Sequence, residues 1–135
     1  MTQQTYLDYA AATPVDPAVF AAMQPYFGER FFNPSATYAA AQAVHTDIEA
    51  ARAKVAHWLG ARPTEIIFTA GGTEANNLAI RGVLARFPDG NIVTTVIEHE
   101  SVLATAQQFD HRIAPVTSNG VVDVDSLVKL IDDHT

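Results

Sequence analysis

The chain has 135 residues, with eight Lys and Arg against fifteen Asp and Glu, a net charge of -7, and 48% hydrophobic residues. That is enough apolar material for one core and too little for two good ones. No basic stripe exists to hold nucleic acid or an anionic membrane surface, no cysteine exists for a disulfide or a thiolate, and no apolar run is long enough to cross a bilayer.

The first residues are polar, without the charged start and apolar centre of a secretion signal, so a soluble cytoplasmic protein is expected. Thr5-Tyr6-Leu7-Asp8-Tyr9 is expected to be extended. Asp16-Pro17 marks a helix start, an N-cap followed by proline at the first helical position. Phe20, Met23 and Phe27 give that helix one apolar face, and Gly28 closes it. Asn33 precedes a proline and is pushed out of the α region, so residues 31–35 should be irregular. From Ser35 to about Leu59 the pattern Val44, Ile48, Ala51, Val55, Leu59 predicts a long helix, stopped by Gly60. His45 and His57 lie on it as ordinary surface or boundary residues.

The most informative stretch is Glu65-Ile-Ile-Phe-Thr-Ala-Gly-Gly-Thr-Glu-Ala-Asn-Asn77. Ile66-Ile67-Phe68-Thr69 predicts a short buried strand. Ala70-Gly71-Gly72 turns the chain, with Thr73 expected as the N-cap and Glu74 in the first turn, where the helix dipole favours a carboxylate. Such a turn is a candidate anion cup, because first-turn N–H groups lack helical partners and glycines admit a phosphate close to the backbone. A plain chain reversal is the alternative. The spacing is not that of a Walker loop, since no lysine follows the glycines.

The helix from Thr73 should run to about Phe87 with Ile80, Val83, Leu84 and Phe87 facing a core and with Arg81 and Arg86 solvated. Residues 91–97 predict a parallel strand covered on both faces. It leads into Glu98-His99-Glu100-Ser101 and a helix to about Phe109. Residues 112–116 predict a third strand, placed at an edge by Pro115. Ser118-Asn119-Gly120 is a turn, and Asp123 caps a last helix running out at Thr135. Alternation of strand and helix implies a parallel α/β sheet. In such sheets ligands lie beyond the carboxyl ends of the strands, which puts the glycine turn and His99 on one rim. His99 there is a candidate ligand, base or stacking face, or else a helix-start residue bonded to local backbone, and Glu98 is its candidate partner. The five scattered histidines form no metal motif, and no Gly-x-Ser-x-Gly elbow occurs.

Four stretches in one order carry a family resemblance: Tyr6-Leu-Asp-Tyr-Ala-Ala-Ala-Thr-Pro-Val-Asp-Pro, Asn33-Pro-Ser, the 65–80 stretch, and Ile97-Glu-His-Glu-Ser-Val-Leu. The chain resembles the N-terminal third of a cysteine desulfurase, among the pyridoxal-phosphate enzymes called class V aminotransferases. The resemblance implies an incomplete α/β fold: the N-terminal part of the large domain of a fold-type I pyridoxal-phosphate transferase, a mainly parallel sheet with flanking helices. It implies an extended arm over 1–15 and a partial large domain over 16–135. It implies that Gly72 and Thr73 bind the phosphate of pyridoxal 5'-phosphate, and that His99 stacks on the pyridine ring and takes part in proton transfers. It further implies L-cysteine as substrate of the complete enzyme, a homodimer, and a sulfur-acceptor or scaffold protein as partner. Alternatives are a non-catalytic remnant that pairs with a partner, an aminotransferase or a selenocysteine lyase.

Tyr38 and Ala70 depart from the family's usual histidine and serine. The family's cofactor-carrying lysine, its acidic partner for the pyridine nitrogen, its carboxylate-binding arginine and its sulfur-accepting cysteine are expected beyond Thr135. The chain alone is accordingly expected to be inactive and to leave sheet edges unpaired.

Overall fold

The computed structural model describes residues 5–135. They fall into two compact units, one ending at Ile67 and the other beginning at Phe68. No helix among the described residues is long and apolar enough to cross a membrane.

In the first unit the start is not a simple extended strand. A turn at residues 8–11 is closed by Ala11 N–H on the Asp8 carbonyl at 3.0 Å. Helix α1 spans Pro17–Met23, capped by the Asp16 carboxylate, which accepts from Ala18 and Val19 N–H. It ends earlier than its apolar spacing predicts because Pro25 cannot supply the next N–H, and residues Gln24–Phe27 tighten to a 3-10 turn. Phe20 and Phe27 are exposed.

Helix α2 spans Ala39–Leu59. It starts four residues later than predicted, because the Asn33 side chain accepts from Ser35 N–H at 3.0 Å and holds residues 33–36 in a turn. Its far end is the predicted glycine stop. Gly60 adopts φ 66, donating to His57 O while Ala61 N–H reaches Ala56 O at 2.9 Å, the paired closure that favours glycine. Ala41, Val44 and Ala56 are buried on its inner face. Asp47 on α2 draws in the preceding turn, accepting from Tyr26 Oη at 3.0 Å and pairing with Arg30 at 2.6 Å.

The predicted strand at 66–69 does not form. The β-branched residues are there, but among the described residues no neighbouring strand supplies a ladder, and Ile67 and Phe68 stay exposed.

The second unit holds α3 (Gly72–Arg86), β1 (Ile92–Thr95), α4 (Glu100–Ala106), β2 (His111–Ala114) and α5 (Val124–Leu130). The strands pair in parallel with Ile92 opposite His111 and Thr95 opposite Ala114, joined across α4. The α/β architecture with a short parallel sheet and flanking helices matches the sequence reading. Leu84, Ala106 and Ala114 form the buried apolar core, together with Thr94, Thr95, Ser101 and Thr105, polar residues that are also buried. Coverage of α3 falls short of expectation: Leu84 is buried, but Val83 is 58% and Phe87 60% exposed. β1 is shorter than its apolar run, and Val96 and Ile97 leave the ladder and are exposed. Nor is Arg81 free in solvent, since its guanidinium reaches Gln108 Oε1 at 2.5 Å and lies 5.8 Å over the Phe109 ring.

Asp123 caps α5 as predicted, accepting from Ser126 N–H at 3.1 Å. The helix stops at Leu130, and residues 132–135 fold into a turn around the Asp132 carboxylate. Asp132 accepts from Asn91 at 2.9 Å and pairs with Arg112 at 2.6 Å, tying this turn to β2 and to the residue that leads into β1. Those bonds, the Asn91 amide first and then the Arg112 guanidinium, hold its carboxyl well below its ordinary value near 3.8. A depressed folded pKa stabilises the fold above the unfolded value and is lost as pH falls through the folded one. The Asp132 tether is therefore expected to be intact at neutral pH and to release only in acid well below pH ~3.8. A carboxyl carbon titration by NMR checks this; an Asp132 resonance titrating at the ordinary aspartate pH overturns it.

Candidate functional site

Gly72 and Thr73 are the first two residues of α3, and Gly71 is its N-cap. The sequence predicts Thr73 as the N-cap; the structure instead places it inside the helix, because helical geometry already begins at Gly72. Ala75 N–H is the first to close a helical bond, onto Gly71 O at 3.1 Å, so the N–H groups of Gly72, Thr73 and Glu74 precede the ladder. The Thr73 hydroxyl makes no hydrogen bond among the described residues. Neither glycine is demanded by its own surroundings: Gly71 is extended, with φ 170, and a Cβ at either position meets no atom within 4 Å. What the two missing side chains leave is room. An open hollow of about 510 Å³ lies there, lined by Ala70, Gly71, Gly72, Thr73, Glu74 and Asn77.

Glu74 lies on the lining too, but its carboxylate is turned back onto Ala70 N–H at 2.7 Å. That charge-assisted bond fixes the bend. The remaining donors, backbone N–H groups of a 15-residue helix with a free hydroxyl among them, suit a phosphate. The residues present thus fit the phosphate end of pyridoxal phosphate.

His99 is the N-cap of α4, with its Nδ1 accepting from Ser101 N–H at 3.0 Å. Its ring is exposed and does not line the hollow. Glu98 is not its partner; the Glu98 carboxylate accepts from the Thr95 hydroxyl at 3.1 Å, which shapes the exit from β1. The link between His99 and α3 is instead Ser101, whose hydroxyl lies 2.8 Å from both His99 Nδ1 and Asn76 Nδ2. One residue further along α3, Asn77 donates to the Thr73 carbonyl at 3.0 Å and accepts from the Thr105 hydroxyl at 2.9 Å. Adjacent asparagines thus tie α4 to the first turns of α3. Sequence reasoning passed over Asn76, Ser101 and Thr105. The available signal was a pair of amides immediately after the glycine turn, on a helix face that apolar spacing gave to the core.

The sequence pattern of the family described as Aminotransferase class-V matches residues 5–135. The chain belongs to the class-V aminotransferase family. Among its relatives, cysteine desulfurase IscS of Dictyoglomus turgidum is 42% identical over 142 residues, an alignment covering 100% of this chain and 36% of the relative. Cysteine desulfurase IscS of Rickettsia massiliae is 38% identical over 143 residues, covering 100% of this chain and 35% of the relative. A solved structure titled NifS-like protein superposes with a TM-score of 0.90 at 36% identity, covering 98% of this chain and 38% of that one. SspA in complex with cysteine superposes at 0.85, also at 36% identity, covering 98% of this chain and 40% of that one. This class-V chain therefore spans little more than a third of the length of the relatives it matches.

Proposed function

We propose that this chain is part of a pyridoxal-phosphate-dependent cysteine desulfurase, supplying the phosphate cup and the ring-facing histidine. The observation that carries the reading is the hollow at the start of α3, edged by unpaired N–H groups and the free Thr73 hydroxyl, with His99 tied to the same helix through Ser101 and Asn76. The names of the relatives support L-cysteine as substrate, and one solved neighbour is titled as a complex with cysteine.

In this reading Gly72 and Thr73 hold the phosphate through backbone N–H groups and the Thr73 hydroxyl. His99 lies against the pyridine ring and holds a proton at Nε2. When bound, the cofactor acts as an electron sink for bonds around the substrate's α-carbon. The overall change is L-cysteine plus an enzyme thiol giving L-alanine plus an enzyme persulfide, with the sulfur atom and its proton both conserved. Since the chain contains no cysteine, that thiol comes from sequence outside it, and the family resemblance puts the lysine that carries the cofactor there too. The proposal extends to a cytoplasmic homodimer, with residues 16–135 within its large domain, that passes sulfur to an acceptor for iron–sulfur cluster assembly.

The complete protein, loaded with pyridoxal phosphate and given L-cysteine, is expected to release alanine and accumulate persulfide in equal amounts. Bound cofactor with no alanine overturns the desulfurase reading in favour of a non-catalytic partner or another class-V activity.

A further inference from the structure

We propose that Asn76 and Ser101 are positioning residues for His99, forming a directional relay that fixes its tautomer with the proton on Nε2. The inference rests on the cofactor reading above for its purpose, though not for its geometry.

The direction of the relay follows from which groups can only donate. Ser101 N–H points at His99 Nδ1 at 3.0 Å, and a backbone N–H has no lone pair to offer, so this contact favours Nδ1 without a proton, and the side-chain relay adds the second donor that holds the ring in that form. The Ser101 hydroxyl, 2.8 Å from the same nitrogen, must then be the donor in that contact. Its single proton is now committed, and its oxygen is left to accept. Asn76 Nδ2, at 2.8 Å, supplies the matching donor. The reverse orientation of the Asn76 amide would set two acceptors face to face. Every partner therefore agrees on one arrangement, Asn76 to Ser101 to His99, and the imidazole proton is left on Nε2 at the exposed edge of the ring.

Burial gives the relay its hold. Ser101 is only 7% exposed, so water does not compete for its hydroxyl, whereas His99 itself is exposed. The Thr105 hydroxyl lies 2.9 Å from both the Ser101 carbonyl and Asn77 Oδ1, bracing the same turn of α4. Since Asn77 also bonds the Thr73 carbonyl, the cup and the ring are set by neighbouring residues of one helix. A helix-start serine with a merely structural role would hold α4 in place without choosing between ring nitrogens.

Long-range proton–nitrogen correlation spectra of 15N-histidine-labelled protein read the tautomer directly. Wild-type His99 is expected to show the Nε2–H pattern alone. Asn76→Asp keeps the shape of the side chain but replaces the donor with an acceptor, which draws the serine proton away from Nδ1. That variant is expected to lose the single pattern and show a mixed or Nδ1–H one. Ser101→Ala deletes the hydroxyl and leaves the backbone N–H as the one donor on Nδ1, a change small enough to preserve α4, and is expected to broaden the pattern toward a mixture. Ser101→Thr keeps the hydroxyl and should restore the wild-type spectrum. An unchanged Nε2–H pattern in both Asn76→Asp and Ser101→Ala, or mixed tautomers in the wild type, overturns the relay. A parallel absorbance titration of the complete wild-type protein with pyridoxal phosphate separates the two readings. A fixed tautomer without cofactor binding upholds the relay and overturns the proposed function; binding with a mixed tautomer does the opposite.

Discussion

Thr73→Ala in the complete protein is expected to weaken pyridoxal phosphate binding by about 10- to 100-fold, the equivalent of ~1.5–3 kcal/mol for a hydrogen bond to a charged group. The substitution is clean because of where the structure puts Thr73. As the second residue of α3 it is not the cap, which is Gly71, so no helix-capping bond is lost. Its hydroxyl has no partner among the described residues to be orphaned, and alanine is the best helix former for the position. The melting temperature of the cofactor-free protein should accordingly hold within a degree or so of wild type, a change of less than ~0.5 kcal/mol. Loss of affinity with unchanged apo stability is the signature of a group that serves the ligand. Equal affinity in the two proteins would remove Thr73 from the phosphate site, and a parallel fall in apo stability would return it to a structural role.

His99→Ala is expected to lower turnover by about 10²- to 10⁴-fold, the usual range for losing a positioned proton-transfer group. Cofactor affinity should fall far less, since the lost stacking is worth only ~0.5–1.5 kcal/mol. The two contributions come apart in His99→Phe, which keeps a flat ring and removes both nitrogens. That variant should retain cofactor affinity close to wild type and still lose turnover. Wild-type rates and absorption spectra in His99→Ala would exclude His99 from the site. Turnover restored in His99→Phe would leave it a stacking face with no proton to move.

The features legible in the sequence are those with local chemical punctuation. Asp16-Pro17, Gly60 and Asp123 each act within four residues of themselves, and all three do in the structure what their types predict. The glycine turn before α3 belongs to the same class, although the cap fell on Gly71 and not Thr73 because helical geometry begins two residues sooner. What depends on a distant partner was not legible. Residues 66–69 have strand-forming side chains, yet a strand exists only where another one accepts its N–H groups. Val83 and Phe87 have core spacing, but spacing reveals an apolar face and not whether anything covers it. Glu98 bonded Thr95, three residues back, in preference to the adjacent histidine. Asn76 and Ser101 are 25 positions apart, and no periodicity joins them.

The parallel register of β1 and β2 also constrains how the second unit is assembled. Ile92 and His111 come together only after the whole of α4 has looped between them, so the cost of closing that loop precedes any ladder bond. Local helices, above all the long α3, can form before the strands meet. The topology therefore predicts that pairing of the two strands comes late, after the local helices.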